Sequence, residues 1–316
     1  FPDNERGKAM GVMGAATSLG LGLGPLAGGV LMDEFGWRSI FFFRVPIGVI
    51  GLVLGVVCLK EPPRAPYSLR FDYGGAATVF AGLVGMAVAV NQVANWGLSS
   101  VRFLGLALFA VVNLVGFVRI EARASEPIFD LRVLRNRTYI SGVGSMVLYF
   151  LAVGTAYYLV PFFLLEGLEV SASLAGVLFG IMPFCMGLVS PLAGVVGDRL
   201  GTKLPVAIGS TLITVSIVGM GFLGQTTEVG FVVLVLVVHG VGSGFFEAPN
   251  MSAIMGSVPK GKLGLAAASV AISRQIGLLL GIVIGGAIFV ARRGAHLASG
   301  EESRAVVEGF QETVMV

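Results

Sequence analysis

Nine stretches of this chain are apolar for long enough to cross a bilayer: residues 9–32, 40–59, 73–93, 103–118, 139–165, 174–196, 204–224, 230–255 and 264–290. A hydrocarbon core about 30 Å thick needs roughly 20 helical residues to span it. Inside lipid the backbone amides and carbonyls must be bonded within each segment, so the spacing predicts an all-α transmembrane protein of nine helices. Hydrophobic residues make up 55% of the chain and charged residues 12%, about half the charged share of soluble domains, which excludes a water-soluble fold.

Lys and Arg placement sets the orientation. If the connections alternate sides, the side that holds residues 1–8 collects fourteen of the 21 basic residues and the opposite side five, with Arg44 and Arg274 inside spans. The positive-inside rule therefore predicts that residues 1–8 are cytoplasmic, in a multi-pass protein of the cell's inner membrane. The connection 119–137 carries five arginines and Pro127, and reads as an amphipathic domain boundary along the membrane surface. It divides the chain into residues 1–60, 61–138 and 139–316. Residues 296–308 read as a polar external loop, and 309–316 turn apolar again. With Phe1 in place of Met at the other end, the chain is expected to be part of a longer protein, truncated at both ends, with a tenth helix cut off.

The first span contains GLGLGPLAGG, residues 20–29. Gly20, Gly24 and Gly28 recur every four residues, which predicts a smooth helix face for close approach of a second backbone. Pro25 removes an amide donor, tolerable in lipid only inside a bundle. The same frame returns at Gly277, Gly281 and Gly285. Shifting the sequence by 257 residues lays residues 2–32 on 259–289 with nine identities over 31 positions, including Gly20/Gly277, Gly24/Gly281, Gly28/Gly285 and Gly29/Gly286. Both copies run in the same direction through the membrane, the relation expected between two halves of a rocking transporter.

Four stretches resemble the major facilitator superfamily, and within it the fourteen-helix drug:proton antiporter branch. FPDNERGKAMG followed by GLGLGPLAGG is similar to the lead into the fifth helix and its antiporter motif (Gly20, Gly24, Pro25, Gly28, Gly29). WRSIFFFRVPIG resembles the entry to the sixth, with Arg44 where the branch has asparagine. GVVGDRLGTK, with Gly194, Asp198, Arg199, Gly201 and Lys203, resembles the cytoplasmic loop motif. FFEAPNMSAIMGSVPKGKLG looks like the fourth-to-fifth passage of the second half. The resemblance implies two pseudo-symmetric helical bundles, with the third and fourth spans as two extra central helices and four helices missing upstream. It also implies a proton-coupled exporter of amphipathic small molecules. A metabolite importer or exporter of the same superfamily, a non-transport channel or scaffold, and an inactive fragment remain open.

An ionisable group in mid-membrane is costly and needs a partner. Glu247 and Arg274 each fall about ten residues from the basic ends of their spans, roughly 15 Å deep, where adjacent antiparallel helices can pair them. They read as a protonatable coupling switch, as a static interhelical lock, or, for Glu247, as a carboxylate in a wet cytoplasmic vestibule. His239, about 80° around the same helix from Glu247, reads as a packing residue or a relay. Tyr149 and Tyr157 fall near one face of an aromatic span, as a candidate substrate cavity wall or as packing. Asp198 and Arg199, at a helix end, read as an ordinary charged short loop or, as the resemblance implies, as a gate latch.

GSVPKGKL, residues 256–263, lacks both the hydroxyl and the strand of a phosphate loop, so no nucleotide is expected. Cys58 and Cys185 both sit in apolar runs and suggest neither a disulfide framework nor a metal. No cofactor, metal, enzymatic activity or nucleic-acid partner is expected, and a monomer in the bilayer is.

Overall fold

The computed structural model describes residues 6–58, 73–92, 96–97, 100–121, 133, 135–297 and 302–316, and each apolar run is helical over most of its described length. Ten α-helices are found among these residues. They are α1 (Arg6–Phe35), α2 (Ser39–Cys58), α3 (Tyr73–Asn91), α4 (Val101–Glu121), α5 (Arg137–Phe162), α6 (Ala172–Leu200), α7 (Lys203–Met220), α8 (Val229–Gly256), α9 (Leu263–Leu297) and α10 (Glu302–Met315). Seven of the described helices are apolar and long enough to cross a membrane, and Tyr73–Ala89 is a shorter apolar helix. Most of the 119–137 connection, including Pro127, lies outside the described residues.

Local chemistry sets the helix ends. Asn136 caps α5: its Oδ1 accepts from the Thr138 and Tyr139 amides at 2.9 and 3.4 Å. Its Nδ2 donates to the Ser257 carbonyl at 2.8 Å, tying the start of α5 to the end of α8. Pro161 interrupts the amide ladder late in α5, and the chain widens into a π-turn over Phe163–Gly167, closed by the Leu168 amide on the Phe163 carbonyl at 2.8 Å. Between α6 and α7 the chain reverses at Gly201, whose φ of 84° favours a residue without Cβ.

Helices α5 to α9 form a bundle in which α5 lies along α9, α6 along α8, and α7 along α8. Two apolar cores fill it. One, around Phe163, Phe289 and Phe310, sits toward the α9–α10 turn, and the other, around Tyr139, Met146, Phe246 and Ile254, toward the opposite end. Helix α1 packs on α6 and touches α8, while α3 and α4 pack mainly on each other. Helix α2 touches α1 and buries none of its residues.

One expectation is corrected. Of residues 296–308, those described are helical and not loop: α9 continues to Leu297, and α10 starts at Glu302 and folds back on α9 and the π-turn. The polar residues there are the outer face of an amphipathic helix whose inner face, Val306, Val307 and Phe310, is buried in the core. The glycine face of α1 is open among the described residues. A Cβ at Gly20, Gly24 or Gly28 would meet nothing within 4 Å. Helix α1 meets α6 on a different face, where a Cβ at Gly11 would sit 2.7 Å from the Ser190 carbonyl oxygen and one at Gly14 3.3 Å from the Ser190 side chain. Pro25 and Gly29 lie in α1, but their surroundings fall outside the described residues.

In the second copy the same frame is fully used. A Cβ at Gly277 would sit 2.6 Å from both Phe150 Cβ and the Val147 carbonyl oxygen, and one at Gly285 2.7 Å from Thr155 Cγ2. At Gly281 it would overlap the Leu151 backbone. These three glycines let α9 press against the backbone of α5. Thr155 Oγ1 then reaches across to the Gly281 carbonyl at 3.0 Å, a hydrogen bond that only such an approach allows.

Candidate functional site

Helix α8 carries a polar stripe through the bundle: His239, Ser243, Glu247 and Asn250, all buried. Spacings of four, four and three residues keep them within about 80° of arc on one helix face. In an otherwise apolar helix each needs a partner from a neighbour.

Glu247 has the strongest one. Arg274, from the middle of α9, donates from Nη2 to Glu247 Oε1 at 2.6 Å. The Glu247 side chain is 10% exposed and that of Arg274 32%, so the pair is half-screened on the arginine side and enclosed on the carboxylate side. The Arg274 guanidinium also stands over the Phe150 ring of α5, 5.1 Å from its centroid. Tyr149, next to Phe150, places its hydroxyl against the side chains of both Ser243 and Glu247. One cluster thus joins α5, α8 and α9 through a carboxylate, a guanidinium and a phenol. Removing charge from the carboxylate would leave the arginine without its counter-ion.

The aromatic expectation divides. Tyr149 is 6% exposed and packed between Phe150 and Phe246, at centroid distances of 4.7 and 4.6 Å. It borders a cleft of about 330 Å³ with Ser145, Ile213, Thr214 and Phe246. Tyr157 stands two turns away against Phe179 of α6, at 5.2 Å. His239 is 2% exposed, and neither ring nitrogen has a hydrogen-bond partner among the described residues.

At the end of α6, Gly194 and Gly197 are buried while Asp198, Arg199 and Lys203 are exposed. Asp198 Oδ2 accepts from the Lys8 backbone amide at 2.9 Å. Lys8 lies in the first turn of α1, where amides have no intrahelical acceptor and the helix dipole favours an anion. The loop motif is therefore joined to the start of the glycine-rich helix.

Two polar locks were not anticipated from the sequence. Asn250 Nδ2 donates to the Gly142 carbonyl at 3.0 Å, and the Tyr139 hydroxyl meets Ser269 Oγ at 2.5 Å. Their signal was present as polar residues recurring at helical spacing in apolar spans, but the partners lie more than 100 residues apart.

A polytopic helical bundle with an ion pair and a phenol enclosed at one three-helix junction is the framework of a membrane transporter. The chain belongs to the Major Facilitator Superfamily, whose family model matches residues 1–119 and 142–298. It is 31% identical over 282 residues to the riboflavin transporter RibZ of Clostridioides difficile (strain 630), covering 89% of this chain and 60% of that protein. It is 29% identical over 318 residues to the multidrug resistance protein Stp of Mycobacterium tuberculosis (strain ATCC 25618 / H37Rv), covering 100% and 58%. Over 296 residues it is 28% identical to the tetracenomycin C resistance and export protein of Streptomyces glaucescens, covering 93% and 55%. The chain thus spans somewhat over half the length of these relatives.

Proposed function

We propose that this chain is the middle and second-half portion of a proton-driven exporter of amphipathic organic compounds, of the fourteen-helix type, working by alternating access. The observation that carries the reading is the Arg274–Glu247 pair at 2.6 Å, with Tyr149 against it, at the junction of α5, α8 and α9. Protonation of Glu247 weakens its hold on Arg274 and favours a different arrangement of α8 against α9. Proton arrival and substrate departure are then linked through one two-state junction. Two relatives whose names record drug resistance or export support the substrate class.

The basic end, with Lys8 and Asp198, faces the cytoplasm, and the Asp198–Lys8 contact acts as a latch that closes α6 on α1 there. The open face of α1 at Gly20, Gly24 and Gly28 receives a helix of the first half, as the equivalent glycines of α9 receive α5. Residues 1–60, 61–138 and 139–316 then correspond to the end of the first bundle, two central helices with their linker, and the second bundle, within a monomer in the inner membrane.

The test is drug-driven proton flux in vesicles containing the full-length carrier. Glu247→Gln is expected to uncouple drug movement from proton movement, and undiminished coupling would sink the reading. The riboflavin transporter at 31% identity favours a second reading, a carrier of an aromatic metabolite. Flux direction under an imposed pH gradient separates the two.

A further inference from the structure

The α9–α10 turn holds a charge network in which one histidine is gripped on both sides. His296, on the last turn of α9, meets Glu308 Oε2 with Nδ1 at 2.9 Å and Glu312 Oε1 with Nε2 at 3.1 Å. A neutral imidazole has one N–H and one lone pair, so between two carboxylates one contact would set a lone pair against an anion. Only the imidazolium donates on both sides.

The neighbouring charges are already engaged with one another. Arg293 of α9 holds Glu166 of the π-turn at 2.9 Å and Glu302 of α10 at 2.8 Å. Arg292 of α9 holds Glu312 Oε2 at 3.3 Å, and Arg304 of α10 holds Glu308 Oε1 at 2.9 Å. Among the described residues these contacts join four glutamates and three arginines around His296. The histidine and its two carboxylates are about one-third exposed, open to the aqueous phase at this end of the bundle. Directly beneath, Phe310 stacks on Phe163 at 4.7 Å, so an apolar seat holds α10 whatever the charge state while the polar rim varies.

We propose that His296, Glu308 and Glu312 form a proton-binding site distinct from Glu247, which fastens α10 onto α9 when occupied and loosens that rim when empty. On the orientation proposed above the site faces the outside, where a proton-driven exporter takes up its protons. It therefore reports external acidity to α9, the helix that carries Arg274. The site itself rests only on the geometry of α9 and α10.

Hydrogen–deuterium exchange of the full-length carrier in lipid nanodiscs, without substrate or gradient, reads the site directly. After correction for intrinsic rates, residues 302–315 are expected to exchange about fivefold faster at about pH 8 than at about pH 5.5. His296→Gln should exchange at the fast rate at both pH values, and His296→Arg, which donates to both carboxylates at any pH, at the slow rate. A wild-type rate that ignores pH, or a pH step that survives in His296→Gln, would overturn the proposal. Should His296→Gln not be recoverable, Glu312→Gln must also abolish the step, and persistence of the step overturns it equally. No transport is measured, so failure here leaves the exporter reading standing, and intact coupling in Glu247→Gln leaves this site standing.

Discussion

Arg274 of α9 and Glu247 of α8 meet at 2.6 Å inside a bundle, beside an apolar core around Tyr139, Met146, Phe246 and Ile254. Two ions withdrawn from water repay their desolvation only as a pair, so removing one costs more than removing both. Arg274→Met, which strands the enclosed carboxylate, is expected to destabilise the bundle by about 3 kcal/mol. The double variant Glu247→Leu/Arg274→Met should recover most of that loss. Thermal unfolding in detergent, followed for the single and double variants, gives the comparison; a double variant less stable than either single one would contradict it.

The repeat places glycines in both α1 and α9, yet the two sets carry different loads within this chain. Gly281→Leu should prevent α9 from seating on α5, because the added side chain would overlap the Leu151 backbone. Gly24→Leu meets open space among the described residues. Expressed as the present chain, the first variant is expected to lose its monodisperse peak in size-exclusion chromatography and the second to keep it. In the full-length carrier both should fail if, as proposed above, a helix of the first half covers the face at Gly24.

Asp198 accepts an amide at the first turn of α1, so its charge acts on an unsatisfied helix end. Asp198→Asn keeps the shape and weakens the attraction. It should lower the stability of the α1–α6 contact by about 0.5–1 kcal/mol, measured as faster amide exchange at residues 6–12 with α8 unaffected.

Glu308 supplies a pH dependence of opposite sign to that of His296. The Arg304 hydrogen bond, with added attraction from Arg304 and His296, holds the Glu308 carboxyl below its ordinary range. A carboxyl depressed in the folded state contributes stability at pH values above its ordinary range, lost as pH falls through its folded value. On the Glu308 side, attachment of α10 should therefore weaken as pH falls below the carboxylate range. Arg304→Gln should move the carbon-13 NMR titration of Glu308 upward, and an unmoved midpoint would contradict this account.

Much of this arrangement was legible in the chain itself. Nine apolar runs became helices because hydropathy over about 20 residues reports the solvent around a segment, and lipid leaves the backbone few alternatives. Glu247 and Arg274 stood out as charges in apolar runs at similar depth, and the fold brings them together. Residues 302–308 misled because their polar composition resembles a loop, whereas apolar positions at 306, 307 and 310 recur at a helical spacing too short to assert itself. Asn250 and Tyr139 were passed over because a lone amide or phenol in a span shows nothing of the partner it will find.

The sequence alone determined which segments form apolar helices, that the glycine frame occurs twice in parallel, and which ionisable groups lie within those apolar helices. Each of these depends on residue type along one dimension. Only the tertiary structure decided which glycine face is filled, that Asp198 meets the start of α1, that Tyr149 joins the Glu247–Arg274 pair, and that His296 stands between two carboxylates. Those relationships depend on the rotation and offset of one helix against another. A pattern of helical period leaves both free until side chains from distant segments interlock.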